Sequence, residues 1–156
     1  MANISAGILL FIRKPHLQVL LAHPGGPYWQ NKDEGAWSIP KGEVSDNEDL
    51  LDAARREFEE ELGFMPEGDF IELGSIKQKG GKTVHAWALE YEIPDDFVFA
   101  PGYFEMEWPP KSGKKEAFPE IDRIEYFPPF EAKKKINPAQ AAFINRLIDK
   151  CSRQER

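Results

Sequence analysis

"GEVSDNEDLLDAARREFEEELGF", residues 42–64, places Glu57, Glu59, Glu60 and Glu61 within five positions. Its apolar residues Leu51, Ala54, Phe58 and Leu62 recur at three- and four-residue steps, which predicts an amphipathic helix over 47–62. Asp46 or Asn47 suits the N-cap, and Gly63 sits where a C′ glycine belongs. Glu57 and Glu61 form an i,i+4 pair of like charge, which costs about 0.2–0.5 kcal/mol in an isolated helix. At about 100° per residue, with Glu57 at 0°, Glu61 falls near 40° and Glu60 near −60°, while the apolar stripe runs from about 60° to 140°. Three carboxylates thus share a sector that borders the core, and Glu59 points elsewhere. Such a sector suits a hard divalent cation, Mg²⁺ or Mn²⁺. From spacing alone a solvated acidic face partnered by Arg55 and Arg56 is an equal reading.

Outward from this helix the pattern alternates. Residues 4–12 and 17–22 are rich in Ile, Leu and Val and predict strands. Residues 23–35 form a turn-rich loop, and 36–40 a short extended piece that Pro40 ends. Residues 70–78 and 83–92 predict a strand pair joined by "KGGK", with Val84, Ala86 and Ala88 on one face and His85, Trp87 and Leu89 on the other. Residues 104–108 and 124–127 predict short strands, 109–120 a basic loop, and 138–150 a final helix with Phe143, Leu147 and Ile148 inward. Interspersed strands and helices give an α/β or α+β class with a mixed sheet. The 156 residues fit one domain spanning 1–156.

The net charge of −7 argues against a sequence-blind grip on extended nucleic acid. It leaves room for a small phosphorylated substrate, because a bound metal supplies local positive charge. The apolar run Ala6 to Ile12 is too short to span a bilayer and carries no signal-peptide flanks, so it is expected to be a buried strand. The single cysteine, Cys151, fits a reducing compartment. A cytoplasmic protein with no membrane partner is the expectation.

The stretch 42–64 resembles the Nudix box, G-x5-E-x7-R-E-U-x-E-E-x-G-U, with U a bulky aliphatic residue. Gly42, Glu48, Arg56, Glu57, Glu60, Glu61 and Gly63 fill every fixed position at the right spacing, while Phe58 and Phe64 stand where Ile, Leu or Val is usual. The resemblance implies an α/β/α sandwich around a mixed sheet. It also implies a hydrolase acting on a nucleoside diphosphate linked to another moiety. Glu57, Glu60 and Glu61 are then metal ligands, with the Lys41 carbonyl as a further one. Arg56 orients the carboxylates, with Glu48 as a partner. Glu57 and Glu60 are the box's candidates for catalytic base. Since the base varies across the family, Glu105, Glu107, Glu116 and Glu120 are candidates outside it, Glu107 and Glu120 foremost.

Around the box, Lys41 either contacts a phosphate or is an ordinary surface lysine. Tyr28 and Trp29, in a Gly/Pro-rich loop, are candidates to stack on a base, whereas Trp37 reads as core. His85 either touches a phosphate or satisfies a buried hydrogen bond. "KSGKK" (111–115) either closes over a polyphosphate or is a solvated loop. The "WSIPKGE" lead is similar to that of dinucleoside polyphosphate hydrolases and diphosphoinositol phosphatases. The tyrosine that the former carry sixteen to eighteen residues after the box is absent, with Gly80, Gly81 and Lys82 in its place. The ADP-ribose type's proline is replaced by Lys79. The expectation is a metal-dependent pyrophosphohydrolase of a nucleoside tri- or polyphosphate. The alternatives are a nucleotide-sugar or oxidised-nucleotide hydrolase, and a nucleotide-binding module without turnover.

Overall fold

The computed structural model describes residues 3–154. Its centre is strand β1 (Ile4–Ile12), buried along nearly its whole length. A strand apolar on both sides needs cover on both faces. Ala6, Ile8 and Leu10 pack toward helix α1 (Leu50–Leu62), with Ala53, Ala54, Phe58 and Leu62. Leu9 and Phe11 pack toward helices α2 (Pro129–Lys135) and α3 (Ala141–Gln154), with Ala132, Ile136, Phe143 and Leu147. The remaining strands of this sheet are β2 (Gln18–Pro24), β3 (Lys41–Glu43), β4 (Ile71–Lys77), β5 (Thr83–Glu90) and β8 (Ile121–Phe127). The order is β4-β5-β1-β2-β8, with β3 also on β1. β1 runs parallel to β5, and the other pairs are antiparallel. The result is the expected mixed sheet between helical layers.

One edge of β1 is shared by two strands. β3 pairs with Ser5, Ala6 and Gly7, while β2 pairs with Phe11 and Ile12. Between them Ile8 donates its N–H to the Pro40 carbonyl at 3.1 Å. The crossing is so close that a Cβ on Gly7 would stand 2.5 Å from the Pro40 oxygen. The wedge where β2 and β3 part is where the site opens.

The structure corrects several boundaries. Helix α1 begins at Leu50, not at 47, and its N-cap is Asp49, whose side chain accepts from the Asp52 N–H. Asn47 is in a left-handed turn at φ 65°, and Glu48 folds back to accept the Ser45 N–H at 3.0 Å, so neither is available to the helix. The stripe also shifts: Ala53 is buried, and Leu51 is only half-buried. Residues 109–120 are not simply a loop. β6 (Tyr103–Glu107) and β7 (Lys115–Pro119) form a two-stranded hairpin. Its second strand, KEAFP, is mostly exposed and lacks the alternation that marks a half-buried strand. β8 starts at Ile121 because Pro24 and His23 extend the β2 ladder across a bulge.

The seam between α1 and the sheet rests on Phe58, which is fully buried and meets Phe64 edge-on at 5.3 Å between ring centres. Phe58→Ala should cost about 3–5 kcal/mol of unfolding free energy. Urea unfolding of Phe58→Ala against Phe58→Leu checks this, the leucine variant losing clearly less.

Candidate metal and catalytic site

With α1 placed, its acidic face sits at the core's edge as expected, with Glu57 and Glu61 half-buried and Glu60 exposed. Ala53 falls at about −40° on the same wheel, so the buried Ala53 and Leu62 bracket the half-buried Glu57 and Glu61. The flanking Ala53 and Ala54 are small, which lets the helix approach β3 closely. Glu57 uses that closeness. A Cβ on Gly42 would stand 1.9 Å from Glu57 Oε2, so only glycine leaves the carboxylate its place. Glu57 is 15% exposed and Glu60 58%.

Arg56 organises this face. Its Nε and Nη2 donate to the two Glu48 oxygens at 2.8 and 3.0 Å, a bidentate pair. Nη1 donates to Glu57 at 2.9 Å and Glu60 at 3.2 Å, and Nη2 also reaches the Glu43 carbonyl at 3.1 Å. One guanidinium therefore ties the turn before α1 to two carboxylates on it. The Arg56 guanidinium and the Ser45 N–H hold Glu48 down at about 2, and the ring of carboxylates holds the guanidinium proton more tightly still.

Glu61 is in the opposite condition. Burial, then the neighbouring Glu57 charge, push its carboxyl up to about 8, against the pull of Lys41. Burial also raises Glu57, with Arg56 opposing, and lowers Lys41, with Lys82 adding to the effect. Two adjacent carboxylates that the fold disfavours as anions fit a divalent cation, whose charge would offset both penalties; all the candidate donors are oxygens, the set that Mg²⁺ and Mn²⁺ prefer. Among the described residues no three acidic, histidine or cysteine side chains are already gathered round one point. Arg56 holds Glu57 and Glu60, while Glu61 faces a separate pocket.

That pocket, of about 140 Å³, is lined by Ala22, Pro24, Ser38, Ile39, Lys41, Glu61, Glu120 and Ile121. It lies in the wedge between β2 and β3. Of the four downstream glutamates, only Glu120 is here. Glu105, Glu107 and Glu116 are exposed along the hairpin, and Glu107 accepts the Lys111 N–H at 2.6 Å. Glu120 is pinned on both sides: its N–H donates to Gly102 O at 2.8 Å, and its carbonyl accepts the Gly25 N–H at 3.0 Å. A larger hollow, about 250 Å³ and lined in part by Arg13, Asp69 and Glu90, lies toward the other end of β1, where Arg13 and Glu90 already pair at 2.7 Å.

The other sequence candidates are dispersed. Tyr28 and Trp29 are exposed at 58% and 40% on the loop after β2. Trp29 has Lys32 Nζ 5.1 Å from its ring centre, and Tyr28 meets Trp108 edge-on at 5.5 Å. Trp37 is buried, as expected. His85 shares a rung with Ala6 and, beyond it, Gly42, two strand spacings or about 10 Å from the box glycine. It is not among the residues lining the Glu61 pocket. Two connections were not read from the sequence. His23 is fully buried, its ring nitrogens 2.8 Å from Asp122 Oδ1 and 2.6 Å from the Lys32 carbonyl, bracing the 25–35 loop against β8. Asp33 accepts from Trp37 Nε1 and pairs with Lys135, tying the same loop to α2. Both join residues some hundred positions apart, and no local pattern announces them.

Glu48 is held below its ordinary value of 4.5 in the fold, so its pairing contributes stability above about pH 4.5 and loses it as pH falls toward 2. Urea unfolding of wild type against Glu48→Gln should show a gap at pH 6 that closes over that window.

Comparison with known proteins agrees with this geometry. The sequence profile of the NUDIX domain matches residues 2–147. By sequence, no curated protein matches the chain at a significant level. Among solved structures the chain is similar to a C. elegans Ap4A hydrolase in a binary complex (TM-score 0.69, 18% identity, 95% of this chain and 98% of that one). It is also similar to a MutT protein from Methanosarcina mazei Go1 (0.61, 18%, 96% and 94%). A third is the NUDIX domain of Shewanella oneidensis NrtR, crystallised with ADP ribose (0.63, 12%, 97% and 89%). At these identities the structural likeness speaks to the fold, and the profile to the family. The chain, with its box helix laid over a split mixed sheet, belongs to the NUDIX domain family.

Proposed function

We propose that the protein is a Mg²⁺- or Mn²⁺-dependent pyrophosphohydrolase that cleaves a phosphoanhydride bond of a nucleoside tri- or polyphosphate. The observation that carries this reading is the half-buried carboxylate pair, Glu57 against Gly42 and Glu61 in the wedge pocket that Glu120 also lines. A module that only binds nucleotides has no need of two carboxylates kept at an electrostatic cost.

Glu57, Glu60 and Glu61, with the Lys41 carbonyl, would hold the cation. Bound there, it supplies charge neutralisation of the phosphates and a more acidic water. The chain's own residues do the rest. Arg56 fixes the rotamers of Glu57 and Glu60, so that neither has to be ordered when substrate arrives. Lys41, half-buried at the pocket wall, offers its ammonium to a phosphate oxygen. A proton must leave the attacking water. Glu57 and Glu60 are the box's acceptors, but each already has Arg56 on one oxygen. The Glu120 side chain has no hydrogen bond or ion pair among the described residues and lines the same pocket, which makes it the third and least encumbered acceptor.

The test is a panel with Mg²⁺ present: nucleoside triphosphates, oxidised nucleotides, dinucleoside polyphosphates, nucleotide sugars and ADP-ribose, read by phosphate and pyrophosphate release. Turnover of at least one member is expected, and none at all would leave only the binding reading. Glu57→Gln should lower kcat/KM about a hundredfold or more and weaken the Mg²⁺ dependence. Glu120→Gln should lower kcat while the Mg²⁺ concentration giving half-maximal rate stays put. If Glu120→Gln matches wild type, the proton goes to a box glutamate.

A further inference from the structure

Glu120 lines the wedge pocket one residue before β8 begins, and its place there depends on how β8 lies along β2. The two strands pair rung by rung from Val19 with Phe127 to His23 with Arg123. The next rung is Pro24 with Ile121, so Asp122 has no partner in the ladder and forms a bulge. That extra residue changes the phase of the chain before it. Unbroken alternation would set Asp122 opposite Pro24, on the face that Ala22 and Pro24 turn to the pocket. Ile121 takes that position instead, 5% exposed, and lines the pocket beside Glu120.

The backbone secures this phase weakly. Pro24 has no N–H to donate, and a bulged residue makes no regular ladder bond. Pairing resumes with the Gly25 N–H, which donates to the Glu120 carbonyl at 3.0 Å.

A side chain bridges the gap. His23 is fully buried, and its ring meets Trp37 edge-on at 5.1 Å. Nδ1 is 2.8 Å from Asp122 Oδ1, and Nε2 is 2.6 Å from the Lys32 carbonyl. A carbonyl can only accept, and so can a carboxylate, so these partners assign a hydrogen to each ring nitrogen and make the ring an imidazolium. Arg123 Nε, 3.5 Å from the same Asp122 oxygen, is the other positive group beside it. A buried imidazolium depends on its carboxylate, because parting the two leaves a charge uncompensated. The pair therefore keeps Asp122 turned away from the pocket and Ile121 turned into it.

We propose that His23 and Asp122 are positioning residues for Glu120: their ion pair locks the bulge, and the locked bulge fixes the phase that carries the Glu120 carboxylate into the wedge pocket. This rests on the hydrolase reading above, with Glu120 as the proton acceptor. Neither residue lines the pocket itself. Their effect falls on rate rather than on binding, since a reacting group displaced by about 1 Å can cost about a hundredfold.

The experiment takes the best-cleaved member of the panel and measures kcat, KM and the Mg²⁺ concentration giving half-maximal rate. The proteins are wild type, Asp122→Ala, Asp122→Asn, His23→Phe, Glu120→Gln and the double variant Asp122→Ala/Glu120→Gln. Asp122→Ala should lower kcat at least about fivefold, with KM and the Mg²⁺ requirement within about twofold. Asp122→Asn, whose amide oxygen still accepts from His23, should keep most of the rate. His23→Phe keeps a ring against Trp37 but donates nothing, and should lose as much as Asp122→Ala. Should His23→Phe misfold, Asp122→Ala still decides, because the Asp122 side chain is 31% exposed. The double variant should be no slower than Glu120→Gln, because both changes remove one function.

Amide exchange gives a readout that needs no turnover. In Asp122→Ala the Gly25 N–H should exchange at least about tenfold faster, while the Ala22 N–H, bonded to the Ser38 carbonyl, stays within about twofold. An unchanged kcat in Asp122→Ala, or losses that multiply in the double variant, overturns the proposal and leaves the hydrolase reading standing. A Glu120→Gln protein as fast as wild type does the same. If wild type turns nothing over, the hydrolase reading fails and exchange decides the lock: a faster Gly25 N–H keeps it, and one that stays slow overturns it.

Discussion

Two half-buried carboxylates, Glu57 and Glu61, are the groups around which the site is arranged. Burying a carboxylate is costly unless it is paired or neutralised, and the fold does each in turn. Glu57 is paired by Arg56, which is itself anchored to Glu48 and to the Glu43 carbonyl. Glu61 has the Lys41 backbone and ammonium near it, yet its carboxyl is still pushed up to about 8. The site is thus paired on one side and under-compensated on the other. A divalent cation bound there would supply the missing charge.

The scaffold follows from that need. A helix can bring glutamates this close to a strand only if the strand offers glycine and the helix offers alanine, which Gly42, Ala53 and Ala54 do. The split edge of β1 then opens the space into which Glu61 faces. The hairpin and the 25–35 loop close that space from the other side. Three contacts hold them there: Gly25 to Glu120, His23 to Asp122 and Asp33 to Lys135. Glu120 is the point where the scaffold and this second wall meet.

Much of this was legible in the residues, because the box is a local pattern. The helix and the acidic sector lie within a few turns of chain, where 3.6-residue periodicity carries the information, and the pairing of Arg56 with Glu48 was implied by the resemblance to the box. The central strands were legible because β1 and β5 are apolar runs. What failed to show was non-local or unpatterned. KEAFP forms a strand without any alternation because its hairpin buries little. The helix start was misplaced because Asn47 looks like a cap but sits in the preceding left-handed turn, and the cap is Asp49. Which of four downstream glutamates joins the site depended on how β8 and the hairpin meet. His85, for which the sequence left a phosphate contact and a structural role open, stays on its own strand two spacings from Gly42.

Metal-dependent thermal unfolding tests the central claim most directly, since a cation that relieves buried carboxylates must stabilise the folded state. With free Mg²⁺ at a hundred times its Kd, the gain is about 2.7 kcal/mol, which for a chain of this size raises Tm by about 5–10 °C. That rise should disappear in Glu61→Gln. A Tm that Mg²⁺ and Mn²⁺ leave unmoved, or that rises equally in Glu61→Gln, would contradict the account.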